Sequence, residues 1–218
     1  MKLSADAFPF LTWRDAEVAG IPARIFRISF TGELQYEINV PWHYGAALWD
    51  AVIDAGQQYG ITPYGTETMH VLRAEKGFII VGQETDGTQT PQDLGLDWLV
   101  SDAKDFIGRR SFRRSDTGRH DRPQLVGLAL GAGAPLVPEG TQLVETGTAG
   151  SPPPVRMIGY VTSSYWSPVM KRRFCLALVR GGRQRIGDAI DAAVPGHAVP
   201  ATIVDPVFLD PGNLRRDG

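Results

Sequence analysis

Glu37 lies in an alternating run, with Tyr36, Ile38 and Val40 on one face of a strand and Gln35, Glu37 and Asn39 on the other. A carboxylate there can accept two N–H donors in a charge-assisted pair, or simply face solvent. Arg73, in Val71-Leu72-Arg73-Ala74-Glu75-Lys76-Gly77-Phe78, carries a planar fork that binds carboxylates bidentately. Its ordinary alternative is an exposed helical arginine paired with Glu75 or Glu67. Tyr165 and Trp166 could offer a flat apolar wall to an aromatic ligand, and structural packing accounts for them equally well. Other patterns carry less. Gly131-Ala132-Gly133-Ala134-Pro135 follows a strand, but no third glycine and no helix follow, so a phosphate cradle is not expected. His43, His70, His120 and His197 are scattered without metal-ligand spacing, so no metal is expected. Asp50 and Asp54 share a helix face that reads as ordinary surface.

The elements that must position these groups can be read in order. A β-like run through Ala23, Ile25 and residues 26–30 leads to Thr31-Gly32-Glu33-Leu34, expected as a hairpin turn with Gly32 free to take positive φ. Tyr44, Ala47, Leu48, Ala51, Val52 and Ala55 form one helical stripe, with Gly56 or Gly60 as its stop. A second helix is expected over 65–76, with Met69 and Leu72 inward and Gly77 ending it. Residues 82–95 read as a loop, 96–100 as a short strand, and 109–122, with six arginines, as an exposed connector. Beyond it, short β-like runs at 125–130, 142–145, 157–162, 174–180, 188–193 and 198–204 are separated by Gly and Pro. That texture argues for a small barrel or sandwich, and the whole chain for an α+β class.

Composition bounds the function. The 218 residues are 43% hydrophobic and 21% charged, an ordinary globular balance. Net charge of −2 gives no strong field toward nucleic acid or an anionic membrane. No apolar run is long enough to span a bilayer and the first residues show no signal-peptide pattern, so neither nucleic acid nor membrane is an expected partner. The single Cys175 lies in an apolar run and is expected as a buried, inert thiol, which makes the cytoplasm the default compartment.

Arg27-Ile28-Ser29-Phe30-Thr31-Gly32-Glu33-Leu34-Gln35-Tyr36-Glu37-Ile38-Asn39-Val40-Pro41 resembles the signature of folate-dependent aminomethyltransferases, the glycine cleavage T-protein and its relatives. Residues 71–78 resemble that family's L-R-[LI]-E-x-G helix. Residues 160–173 resemble its G-x-V-T-S-x-x-x-S-P-x-L-x-[KR] turn in the last domain. Gly82-Gln83-Glu84-Thr85-Asp86-Gly87-Thr88-Gln89-Thr90-Pro91 is similar to a loop of heterotetrameric sarcosine oxidase alpha subunits, pointing to the C-terminal part of that subunit within the superfamily. That loop is expected to line a pocket or hold an interface.

The resemblance implies an aminomethyltransferase-like fold: the second half of a folate-binding α+β domain at 1–80, a middle region and connector at 81–122, and a C-terminal β-barrel at 123–218. It assigns Glu37 to the pterin ring, Arg73 to the glutamate end of folate, and Tyr165 and Trp166 to the folate pocket. The ligand it implies is tetrahydrofolate, which takes up an amine-derived one-carbon unit as 5,10-methylenetetrahydrofolate. The alternative is a non-catalytic folate-binding or subunit-assembly module. Gln35 departs from the family's glycine and is expected to narrow the pocket. The family's catalytic aspartate belongs to a segment ahead of this signature and no residue here matches it, so the catalytic group is unknown and no turnover by this chain alone is expected. A first domain lacking part of its sheet is expected to expose an apolar face, covered by a second copy or by other oxidase subunits.

Overall fold

Ala19 and Gly20, at φ of 51° and 76°, close a two-residue turn between β1 (Thr12–Val18) and β2 (Ile21–Arg27). Positive φ at both central positions matches the turn to the right-handed twist of the strands. β3 (Glu37–Asn39) pairs antiparallel with β2, Ile38 opposite Ile25 and Glu37 opposite Phe26. The computed structural model describes residues 2–218. They gather into two units, one running to Arg73 and rejoined by Asp210–Gly218, the other spanning Ala74–Leu209. Residues 81–122, read from sequence as a middle region, belong to the second unit.

In the first unit the three-stranded sheet buries one face. Ala23 and Ile25 of β2 pack on Phe8, with Tyr36, Ile38 and Val40 against them, as the alternation foretold. Arg27 is 2% exposed, and its guanidinium donates to the carbonyls of Phe8 (2.9 Å) and Leu3 (3.3 Å) and to that of Asp217 in α3 (Leu214–Asp217). It ties the N-terminal segment and the tail to the sheet. The expected tight turn at Thr31–Leu34 is part of a longer loop between β2 and β3. Side chains rather than a strand ladder organise it: Ser29 Oγ accepts from Gly32 N–H at 2.9 Å and donates to the Glu33 carbonyl at 2.6 Å.

Helix α1 (Gly45–Gly56) continues through a 3-10 turn to Gly60, which stops it at φ 71°. No residue of α1 is buried, although its apolar stripe is present. Helix α2 (Thr66–Glu75) ends at Gly77, φ 72°, where a side chain would also sit 2.7 Å from the Pro206 carbonyl oxygen. Arg73, Ala74 and Glu75 are its buried residues, whereas Met69 and Leu72 are only half-buried.

The second unit is built on a closed antiparallel barrel of β4 (Pro123–Leu130), β5 (Gln142–Glu145), β6 (Gly159–Ser167), β7 (Arg172–Arg180), β8 (Ala189–Val194) and β9 (His197–Val204), in the order β4-β7-β6-β5-β8-β9. Closure removes free edges. Alternate residues fill it, among them Leu128, Leu143, Val161, Cys175, Ile190 and Ile203. β7 is buried on both faces: Phe174 points the other way and meets Phe208 edge-on at 4.8 Å. Two expectations change. Residues 96–100 form a 3-10 turn (Asp97–Leu99), with Leu99 and Val100 amides bonded to Leu96 and Asp97 carbonyls instead of a partner strand. The T-S-x-x-x-S stretch is β6 itself rather than a turn, bulged between Val161 and Ser163.

Candidate ligand-binding site

Glu37 opens β3 with its side chain exposed, on the face opposite Tyr36 and Ile38. Its carboxylate makes no hydrogen bond or ion pair among the described residues, so both oxygens are available as acceptors. The strand that carries it is held from behind by the Phe8 cluster, and the Tyr36 hydroxyl donates to the Leu3 carbonyl at 3.2 Å. A fixed backbone with an unspent carboxylate is what a ligand offering two adjacent N–H donors requires. Gln35 is not aimed outward: its amide oxygen accepts from Phe30 N–H (3.0 Å) and Thr31 Oγ1 (3.3 Å), so the side chain serves the loop.

Arg73 is fully buried and engaged within the molecule, unlike the exposed helical arginine that its local sequence also allowed. Tyr165 and Trp166 do not form one wall. Neighbours on a strand face opposite ways: Tyr165 is 9% exposed, 6.3 Å from the Phe174 ring, while Trp166 is 51% exposed, opposite Arg173.

Sequence reading did not single out the polar groups that fix the 82–95 loop to the barrel. Glu84 is wholly buried, one oxygen accepting from Ile80 N–H at 2.8 Å and the other from Ser163 Oγ, at the β6 bulge, at 2.6 Å. Asp93 receives Arg122 through Nε and Nη2 at 2.9–3.1 Å, with both side chains almost without solvent contact. Arg122 also donates to the Thr88 carbonyl at 2.6 Å and meets Asp116. The forked bond to Asp93 holds the guanidinium charged beyond its ordinary range. The connector read as exposed therefore ends on a buried clamp, and the loop similar to that of sarcosine oxidases is fastened to the barrel through Glu84 and Ser163. The sequence signal was present in Glu84 and Asp93, acids inside a loop, but their partners lie 79 and 29 residues away. Cys175 lies inside the barrel, 3.6 Å from Ser164 Oγ, and burial pushes its thiol up to about 11.

The chain matches the GCVT N-terminal domain over residues 1–104 and the glycine cleavage T-protein C-terminal barrel domain over 124–210. It is similar to the sarcosine oxidase alpha subunit of Corynebacterium sp. (strain P-1), 52% identical, and to that of Corynebacterium sp. (strain U-96), 50% identical. Each match covers 100% of this chain and 23% of the relative, so the chain spans about a quarter of those subunits. The fold is that of the glycine cleavage system aminomethyltransferase T from Bartonella henselae: TM-score 0.79 at 21% identity, over 95% of this chain and 55% of that one. With both domain families in order and the α+β and barrel units in place, the chain belongs to the glycine cleavage T-protein superfamily.

Proposed function

We propose that this chain is the tetrahydrofolate-binding part of a sarcosine oxidase-like aminomethyltransferase module, in which an amine-derived one-carbon unit is captured as 5,10-methylenetetrahydrofolate. The observation that carries the reading is Glu37: an exposed carboxylate without an internal partner, on a strand pinned from behind. When bound, tetrahydrofolate supplies the nitrogens that take up the one-carbon unit. The chain's own part is to accept the pterin N–H pair at Glu37 and so fix the ring's orientation, which is where positioning lowers a barrier. In this reading Arg73 serves the glutamate end of the folate, and Tyr165 stiffens β6. The reading places the protein in the cytoplasm, in line with one buried thiol and with no helix among the described residues long and apolar enough to cross a membrane. Other oxidase subunits or a second copy are its expected partners.

Calorimetric titration with folinic acid, a stable reduced folate, tests this directly. Saturable binding should weaken by about tenfold or more in Glu37→Ala, since a charged bidentate acceptor is lost. Equal affinity in the variant would remove Glu37 from the site. A second reading, a subunit-assembly module without chemistry of its own, is favoured by α1, none of whose residues is buried. It is supported if a well-folded chain binds no folate.

A further inference from the structure

The barrel carries a second candidate site, lined by residues of the second unit alone. A cleft of about 610 Å³ opens between the loop Gly131–Ala134 and the β6–β7 turn, lined by Leu130, Trp166, Met170, Lys171, Arg172 and Arg173. Its volume falls in the range of small-molecule pockets, roughly 300–1,000 Å³.

Three consecutive cations line it, and none makes a hydrogen bond or ion pair among the described residues. Some arginines elsewhere are matched, Arg24 with Asp15, Arg119 with Asp121, Arg122 with Asp93 and Arg185 with Asp188, whereas these three stand together in one concave wall. Three adjacent charges without a counter-charge raise the local positive potential, and a concave wall focuses it. The turn is fixed, with Met170 N–H bonded to Ser167 Oγ at 2.9 Å and Lys171 in the left-handed region at φ 53°. Across the cleft, Ala134 N–H bonds the Gly131 carbonyl, and among the described residues the Ala132 and Gly133 amides have no acceptor. A side chain at Gly131 or Gly133 would meet nothing, so the backbone there is open to a ligand. Trp166, cross-strand from Arg173, adds a half-exposed indole beside the cations.

We propose that this cleft binds a small anion carrying a planar ring, its phosphate or carboxylate groups held by Lys171, Arg172, Arg173 and the Ala132 and Gly133 amides, its ring stacked on Trp166. Guanidinium forks match both kinds of oxyanion, so a nucleotide and a folate share the required chemistry. The glycine-rich segment that fails as a helix-borne phosphate cradle does its work instead as the facing wall of a cationic cleft.

The test uses the full chain, with ADP and folinic acid as probes for the two sources and pyrophosphate as a ringless anion, titrated by calorimetry at low salt. Glu37 is not among the residues that line the cleft, so Glu37→Ala removes the proposed pterin anchor and leaves the cleft's own groups in place. At least one ring-bearing probe should bind Glu37→Ala with Kd of about 100 μM or tighter. The same probe should weaken about tenfold or more in Glu37→Ala combined with Arg172→Ala and Arg173→Ala. Trp166→Ala, on the same background, should weaken that probe but not pyrophosphate. Neither probe binding a folded Glu37→Ala chain overturns the site, as does affinity indifferent to the arginines. Unchanged binding in Trp166→Ala overturns the ring-bearing ligand class.

Discussion

At the scale of single residues, two positions show how burial decides chemistry. Arg73 is enclosed on α2, so a carboxylate can reach it only within a closed pocket. If it holds the glutamate end of a folate, Arg73→Ala weakens folinic acid more than an unsubstituted pterin; equal losses on calorimetry would make its role purely structural. Cys175 is the opposite case, a nucleophile silenced by its surroundings. With its pKa raised to about 11, burial being the main cause, the native thiol is almost wholly protonated at pH 8, and thiolate is the reactive form. Ellman's reagent should therefore label the protein only after denaturant is added, and fast labelling of native protein would show that the barrel opens. The sign of the linkage follows. The native state keeps its thiol proton while the unfolded chain loses it near pH 8.5, so stability is complete below that pH and falls as pH rises toward 11.

At the scale of elements, the Asp93–Arg122 clamp separates buried from exposed ion pairs. Arg122→Ala leaves Asp93 buried without its cation and should cost about 3 kcal/mol, a fall of roughly 6–12 °C in the barrel's melting temperature. Arg24→Ala breaks a pair whose side chains are 49% and 63% exposed, and should leave the melting temperature almost unchanged. Calorimetric melts of the two variants should differ clearly; equal melts would mean that the clamp does not hold the loop. The same contrast explains what the sequence could reveal. The barrel strands were legible, β6 only in its first half, because alternation and long apolar runs such as Phe174–Val179 are local signals, and β3 because Tyr36, Ile38 and Val40 share a period. β1 was missed since Thr12–Val18 is an edge strand with mostly exposed, polar residues. The Glu84–Ser163 and Asp93–Arg122 pairs were beyond reach because each needs the fold to bring distant residues together. Of the candidate site, the motif located Glu37, but nothing local told that Gln35 would turn back onto the loop or that Tyr165 and Trp166 would part to opposite faces.

At the scale of the whole molecule, the informative feature is apolar surface left in water. Trp42 is 96% exposed, Tyr59 83%, Trp49 58% and Tyr64 55%, all in or beside α1, a helix with an apolar stripe and no buried residue. A surface helix normally buries that stripe, and monomers seldom show apolar patches beyond a few hundred Å². The sequence is thus shaped for a cover over α1, and the neighbouring elements do not supply one. The isolated chain should associate through this face at micromolar concentration and bind the dye ANS, and the double variant Trp42→Ser with Trp49→Ser should lower both the sedimentation mass and the dye signal. Because neither tryptophan belongs to the barrel, its melting transition should stay in place, which distinguishes loss of an interface from loss of fold. A chain that sediments as a monomer with no dye binding would mean that α1 stands in water uncovered, and the subunit-assembly reading would lose the observation that favours it. If instead the tryptophan variant becomes monomeric and still binds folinic acid, folate recognition belongs to the single chain. The face on α1 would then serve assembly alone.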